Sequence, residues 1–468
     1  MPGAFGGARE RSFSNMGKHK IPENGIYDAR PLGAGRMLLL GFQHMFAMFG
    51  ATILVPILTG LDVSNTLLFA GLGTLLFHLI TSGKVPAFLG SSFAFLGGYA
   101  AVAPLIDDSI PNTELLPYAC FGVACAGLVY AVLSALVRAF GAEKVMRFFP
   151  PIVTGPIIIA IGLNLSASAI NNCSGNWWIA IAAILIIVAA NIWGRGMVKI
   201  IPILLGVVGS YLLAVAIDPE IRATLVKNVS EAALFALPVK MDQTVFGLFA
   251  RGNVDQDLLL TSVITIVPLS LATMVEHIGD VSAISSTCGR NYIQDPGLHR
   301  TLLGDGLATT LAALFGAPAN TTYGENTGVL ALSRIYDPRV IRIAAVLAMC
   351  FSFSPKFAAI ISSMPGGTIG GVSLVLYGMI SAVGVRNVVE NQVDFTKSRN
   401  VLIAALILVL SIGISYSKAG ALTFGSVSLS GLAVGSLVGI VLNAVMPGKD
   451  YVFGQNPQGD ESVNFIIQ

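Results

Sequence analysis

The chain has 468 residues, of which 54% are hydrophobic and 11% charged, with 27 Lys and Arg against 25 Asp and Glu for a net charge of +2. Soluble domains carry roughly 25% charged residues, so this composition cannot furnish a water-facing surface and excludes a soluble globular protein. The near-neutral balance, with no basic patch interleaved with aromatics, also argues against nucleic acid as a partner.

The first 35 residues are polar, hold Arg9, Arg11, Lys18, Lys20 and Arg30, and lack an apolar run. They read as a flexible cytoplasmic tail rather than a cleaved signal peptide. From Arg36 onward, apolar residues fall in uncharged runs of about 20, the length that spans a bilayer as a helix. Fourteen segments are predicted, at 37–59, 65–83, 85–106, 116–137, 148–169, 176–194, 198–217, 260–287, 300–316, 319–335, 340–363, 366–385, 400–417 and 426–446. The expected fold class is therefore an all-α polytopic membrane protein. With the N-terminus inside, most of the basic residues fall on inner tails and loops. Only Arg222, Lys227, Lys240, Arg251 and Lys418 lie outside, with Lys356 within the eleventh segment. That asymmetry places both termini, including the tail 448–468, in the cytoplasm of a multi-pass cell-membrane protein.

The polar connection from Asp218 to Asp257 leaves seven segments on either side. An odd number per half forces opposite orientations, which predicts two inverted seven-segment repeats. The fifth segments, Gly155 to Gly162 and Gly371 to Gly378, share glycine spacing, although such spacing also marks plain packing faces. The third segment of each half says more. One runs Val85-Pro86-Ala87-Phe88-Leu89-Gly90-Ser91-Ser92-Phe93-Ala94-Phe95, the other Pro318-Ala319-Asn320-Thr321-Thr322-Tyr323-Gly324-Glu325-Asn326. Proline followed by a small polar run predicts a short extended stretch entering a half-helix, in the third and tenth segments. Non-helical backbone at that depth needs a cavity or protein groups to satisfy it. Two half-helix N-termini would then face one small volume with free N–H groups. Two short helices with Gly/Ser notches are the competing reading.

Ionisable groups within spans are few and costly in hydrocarbon. The eighth segment carries Glu276, His277 and Asp280, with Glu276 and Asp280 on one helix face and His277 about 100° away. Glu325 sits at the start of the second half-helix. Glu276 and Glu325 read as functional, Asp280 as functional or structural, and His277 as a packing histidine. His44 and Asp305 form a candidate buried structural pair. His78 and Lys356 read as structural or interfacial. Cys120, Cys125, Cys173, Cys288 and Cys350 show no CxxC and no metal-ligand grouping, so neither disulfide nor metal is expected. No Walker loop, HExxH or nucleophile elbow is present, so neither ATP-driven transport nor hydrolysis is supported and the chain is not expected to be an enzyme.

Five stretches carry a family resemblance: Gln43 to Thr52, Gly90 to Phe95, Glu276 to Asp280, Asp295 to Arg300, and Asn320 to Gly328. They resemble the nucleobase–ascorbate transporter family, closest to its bacterial uracil permeases, from about residue 30 to 446. The resemblance implies a substrate-carrying core (36–137 and 258–363), a gate (138–217 and 364–447), an extracellular connection (218–257) and a homodimer. By position it implies that Glu276 and Glu325 are substrate carboxylates and that the backbone of Phe93 and Gly324 meets the base. Tyr323 and Tyr377 would line the site, and Glu276 and Asp280 would couple the proton. Asp280 stands where some uracil carriers have histidine, and Ser333 replaces a usual threonine.

Uracil presents two N–H donors and two carbonyl acceptors on a flat ring. Carboxylates accept from the N–H groups, half-helix amides donate to the carbonyls, and aromatic rings supply apolar walls. The reading is proton-coupled uracil import without a cofactor, with sodium in place of the proton left open. A purine (xanthine- or urate-type) permease is the alternative. An anion exchanger or channel of the same architecture is a more distant one, since two carboxylates repel anions.

Overall fold

The computed structural model describes residues 25–106, 110–195, 197–424 and 427–449. Among the described residues, seven helices are long and apolar enough to cross a membrane: Ala34–Thr59, Val63–Ile80, Leu116–Phe140, Pro151–Ser174, Gln256–Cys288, Gly366–Glu390 and Ser398–Ser415. Two bent pairs raise that to nine if each is a single span. Proline sets both bends. Helices Pro202–Ile217 and Pro219–Glu231 meet at 110°, and Pro338–Ser352 and Pro355–Ser362 at 87°. In each pair the second helix starts on proline, which needs no N–H partner there. Asp218 and Ser354 cap those helices by accepting from Glu220 N (2.9 Å) and Phe357 N (3.4 Å).

The remaining expected segments are shorter elements. Trp177–Ile192 and Gly431–Val445 are compact apolar helices, and Leu298–Leu314 is a helix of 17 residues. The third and tenth segments begin as extended backbone, in strands β1 (Leu89–Ser91) and β2 (Asn320–Thr322). A second hairpin, β3 (Ala421–Phe424) with β4 (Val427–Ser430), precedes the last helix.

Glycine sets the closest helix approach. A methyl group on Gly162 would lie 2.3 Å from the Tyr377 carbonyl oxygen, so helices Pro151–Ser174 and Gly366–Glu390 meet backbone to backbone. The glycine-spaced fifth segments thus serve as a packing face. Two stretches read as plain polar chain are more ordered than expected. Of the N-terminal tail, residues 25–33 dock onto the loops after residues 288 and 334, whereas 1–24 lie outside the described residues. The 218–257 connection contains helices Pro219–Glu231 and Val245–Ala250. Lys240 there pairs with Asp62, the cap of Val63–Ile80, at 2.9 Å.

Candidate substrate site

The site is organised by the meeting of β1 and β2. They pair antiparallel, with Leu89 opposite Thr322, Gly90 opposite Thr321 and Ser91 opposite Asn320. One further bond at each end, Tyr323 N to Phe88 O and Ser92 N to Ala319 O (both 3.0 Å), extends the ladder. All six strand residues are buried. Gly90 has to be glycine, since a Cβ there would lie 2.6 Å from the Tyr323 ring and 2.7 Å from Thr52 Oγ1.

Backbone this far from water has to find partners within the protein, and neighbouring helices supply them. On the β1 side, Leu89 N donates to Thr74 Oγ1 (2.9 Å), and His78 Nε2 lies 2.9 Å from Ala87 O. On the β2 side, Thr309 Oγ1 donates to Asn320 O (2.9 Å) and Asn320 Nδ2 to Phe69 O (2.6 Å). Thr322 donates twice to Asp305 Oδ1, from its amide and its hydroxyl, each at 2.8 Å. His277 Nδ1 lies 3.1 Å from Thr322 Oγ1 and 3.4 Å from Asp305 Oδ2. Tyr323 Oη donates back across the crossing to Ser91 O (2.7 Å).

From this crossing two half-helices start. The first is a 3-10 turn at Phe93–Phe95 continuing as Leu96–Val102, and the second is Glu325–Ser333. Facing them is the site helix Leu269–Cys288, with Glu276 and Asp280 one turn apart and both half-buried. A Cβ on Gly324 would lie 2.8 Å from Asp280 Oδ1, which puts this carboxylate at the start of the second half-helix. Negative charge is favoured at a helix N-terminus. The space beside Gly279 is open. Phe93 and Tyr377 meet edge to face, centroids 5.6 Å apart, and their rings join the half-helix to helix Gly366–Glu390. The Tyr377 hydroxyl lies toward Ser373 without closing a hydrogen bond. A cavity of about 210 Å³ borders Phe93, Gly97, Asn164, Thr265 and the β3–β4 hairpin.

The structure thus brings Phe93, Tyr323, Gly324 and Asp280 around the crossing, with Tyr377 against Phe93 and Glu276 one helical turn from Asp280. The backbone of Glu325 starts its half-helix, but its side chain lies outside the described residues. The expected His44–Asp305 pair is not formed. Asp305 faces β2 and is taken up by Thr322 and His277. His44 sits in Ala34–Thr59 behind the second half-helix, where its backbone carbonyl receives Asn326 Nδ2 (3.4 Å). Its ring nitrogens meet no hydrogen-bond partner among the described residues. His277 is buried, with its Nδ1 facing Thr322 Oγ1 and Asp305 Oδ2. Thr322 and Thr74 escaped sequence reading, because a lone hydroxyl gives no periodic or charge signal.

The sequence profile described as the permease family matches residues 35–420, taking in both strands, both half-helices and the site helix. The chain belongs to that family, the nucleobase–ascorbate transporters. This permease is 40% identical over 429 residues to a uracil permease of Bacillus caldolyticus, covering 89% of this chain and 93% of that protein. A uracil permease of Bacillus subtilis (strain 168) is 38% identical, with coverage of 86% and 91%. A putative pyrimidine permease of Escherichia coli (strain K12) is 37% identical, with coverage of 88% and 89%. These relatives are permeases, and the chain is a multi-pass membrane transporter, not an enzyme. Among solved structures, the permease resembles SLC26A9 with a TM-score of 0.58 at 15% identity, covering 92% of this chain and 70% of that one. The transmembrane domain of the cyanobacterial bicarbonate transporter BicA gives a TM-score of 0.55 at 15% identity, with coverage of 90% and 98%. That likeness concerns the fold alone.

Proposed function

We propose that the permease imports uracil by proton symport, holding the base at the strand crossing. The observation that carries this is the Asp280 carboxylate at the start of the second half-helix, with Glu276 one turn away on the same helix face. The uracil permeases at 38–40% identity support the same substrate. In this reading, Glu276 and Glu325 accept from the two ring N–H groups. Amides at the half-helix starts, near Phe93 and Gly324, donate to the carbonyls. Tyr323 and Tyr377 close the flat faces of the ring. The fourteen segments form two inverted halves, with a core (36–137 and 258–363) that carries the base past a gate (138–217 and 364–447). Both termini are cytoplasmic and the working unit is a homodimer.

Proton coupling rests on the Glu276–Asp280 spacing. Two carboxylates one turn apart repel when both are ionised, which favours a shared proton and a joint titration. Uptake then rises as external pH falls, collapses with a protonophore and needs no sodium. In Asp280→Asn the repulsion disappears and the base exchanges across the membrane but is not concentrated. Unchanged accumulation in that variant would assign coupling to Glu276 alone, and strict sodium dependence in the parent would remove the proton mechanism.

The Glu276-x-x-x-Asp280 spacing also fits a purine permease, the second reading. Competition of labelled uracil uptake by unlabelled uracil, xanthine, urate and bicarbonate separates the alternatives. Uracil alone should compete strongly. Displacement by xanthine or urate selects the purine reading, and displacement by bicarbonate selects an anion carrier on the fold shared with SLC26A9 and BicA.

A further inference from the structure

Residues 25–30 run across the basic end of the molecule and touch the far ends of both carboxylate-bearing elements. Ile26 N donates to Arg334 O and Tyr336 N donates to Ile26 O, each at 2.8 Å, forming a one-residue bridge to Ile335. Arg334, at φ 53°, is the left-handed residue that ends the second half-helix. Tyr27 Oη donates to the carbonyl of Cys288, the last residue of the site helix, at 2.5 Å. The Tyr27 ring lies under the Arg290 guanidinium (3.9 Å) and against Tyr336, with centroids 5.4 Å apart. Ala29 N donates to the buried Asp337 (2.7 Å), and Arg339 pairs with Asp28 (2.8 Å). Gly25, at φ +80°, leaves room for Tyr336, since a Cβ would lie 2.3 Å from its ring.

These contacts answer a physical need. The last carbonyls of a helix lack intrahelical partners, and a helix of nine residues is too short to hold itself. The crossing fixes the near end of the second half-helix through Asp305 and Thr322. At its far end this segment takes up Arg334 O, and at the end of the site helix, where Gly289 N and Arg290 N already close on Ser285 O and Ser286 O, it takes up Cys288 O. The family profile begins at residue 35, after it.

We propose that residues 25–30 form a clasp that holds the site helix and the second half-helix in fixed register, with Tyr27 a positioning residue for Glu276 and Glu325. The inference rests on the uracil-transport reading for its kinetic consequence, but not for its structural one. In the permease, Tyr27→Ala removes both the ring contacts and the hydroxyl and should raise the KM for uracil about fivefold, or about 1 kcal/mol of positioning. Tyr27→Phe gives up the bond to Cys288 O but keeps the ring between Arg290 and Tyr336, and should raise the KM about twofold. A role confined to folding would lower the amount of permease in the membrane and leave KM unmoved. Hydrogen exchange of the purified permease without substrate reads the clasp directly. Tyr27→Ala should speed amide exchange at residues 284–288 and 328–334 together, with helix Ser398–Ser415 unchanged. Parental KM in Tyr27→Ala overturns the positioning role, and unchanged exchange at either terminus overturns the clasp. Should the parent not carry uracil, the transport reading falls and the exchange result still decides the clasp. Cross-linking Ile26→Cys to Ile335→Cys with copper phenanthroline should leave uptake intact, because the clasp travels with these two elements. Uptake lost on oxidation and regained with reductant would show instead that the segment has to detach.

Discussion

The two extended stretches at the crossing look alike in sequence yet are held in different ways. β1 hangs on uncharged groups, the Thr74 hydroxyl and the His78 ring. β2 hangs on a fully buried carboxylate, Asp305, which takes two donors from Thr322 and faces His277. The half-helix after β1 contributes an apolar wall through Phe93, while the half-helix after β2 begins at Gly324 and Glu325, against Asp280. The stronger anchor belongs to the element that, in the proposed site, has to place charge. A displaced aromatic wall still excludes water, whereas a displaced carboxylate loses a directional bond.

Removing each anchor in turn sharpens that contrast. Asp305→Ala leaves the Thr322 amide buried without its acceptor and its hydroxyl with only the His277 ring, and stability should fall by about 2–3 kcal/mol. Thermal unfolding of the purified permease measures it, and a loss no larger than that of Thr74→Val would erase the proposed asymmetry. Next come the carboxylates themselves. Glu276→Gln and Glu325→Gln should each cut uracil uptake at least tenfold at subsaturating concentration, since a charge-assisted bond in a buried site is worth about 1.5–3 kcal/mol. Wild-type uptake at equal expression would take these residues out of the site. Thr74→Val removes the acceptor for Leu89 N and should cost about 1 kcal/mol of stability with little change in uptake.

The smallest effect concerns the clasp. The side-chain hydrogen bond from Arg30, helped by the Arg30 amide and by Arg339, holds the Asp28 carboxyl below the usual carboxylate range. A depressed carboxylate contributes stability above its unfolded value, and loses it only as pH falls through the folded one. Exchange protection of the 25–30 segment should therefore persist into mild acid and fade only below the ordinary carboxylate range. Asp28→Asn should abolish that pH dependence. Protection lost already near neutral pH would assign it to another group.

Much of this was legible in the sequence because it rests on local chemistry. Pro86 and Pro318 cannot continue a helix ladder, and the polar runs after them mark where extended backbone stands in membrane. Glu276 and Asp280 fall on one face by helical spacing alone. What stayed hidden is long-range. Nothing local says that Leu89 pairs with Thr322, or that Asp305 turns to Thr322 and His277 instead of His44. The fourteen apolar runs likewise conceal that several are bent, short or strand-led, because hydropathy reports burial in lipid and not straightness. Residues 25–33 were lost in a tail judged flexible from its polarity, since a docked strap bonds through backbone and tyrosine rather than through an apolar face.

The hydrogen-bonded ladder between β1 and β2 has one more consequence. The half-helices cannot slide past each other without breaking it, so they move as one unit. If the proposed proton-coupled uracil import holds, a site carried whole in this way has no built-in direction, and net flow follows the gradients of base and proton alone. A cell that loses its proton gradient would then leak free base outward through the same protein. On that reading, retention would fall to whatever reaction inside the cell consumes the base, and that reaction would be the true valve of uptake.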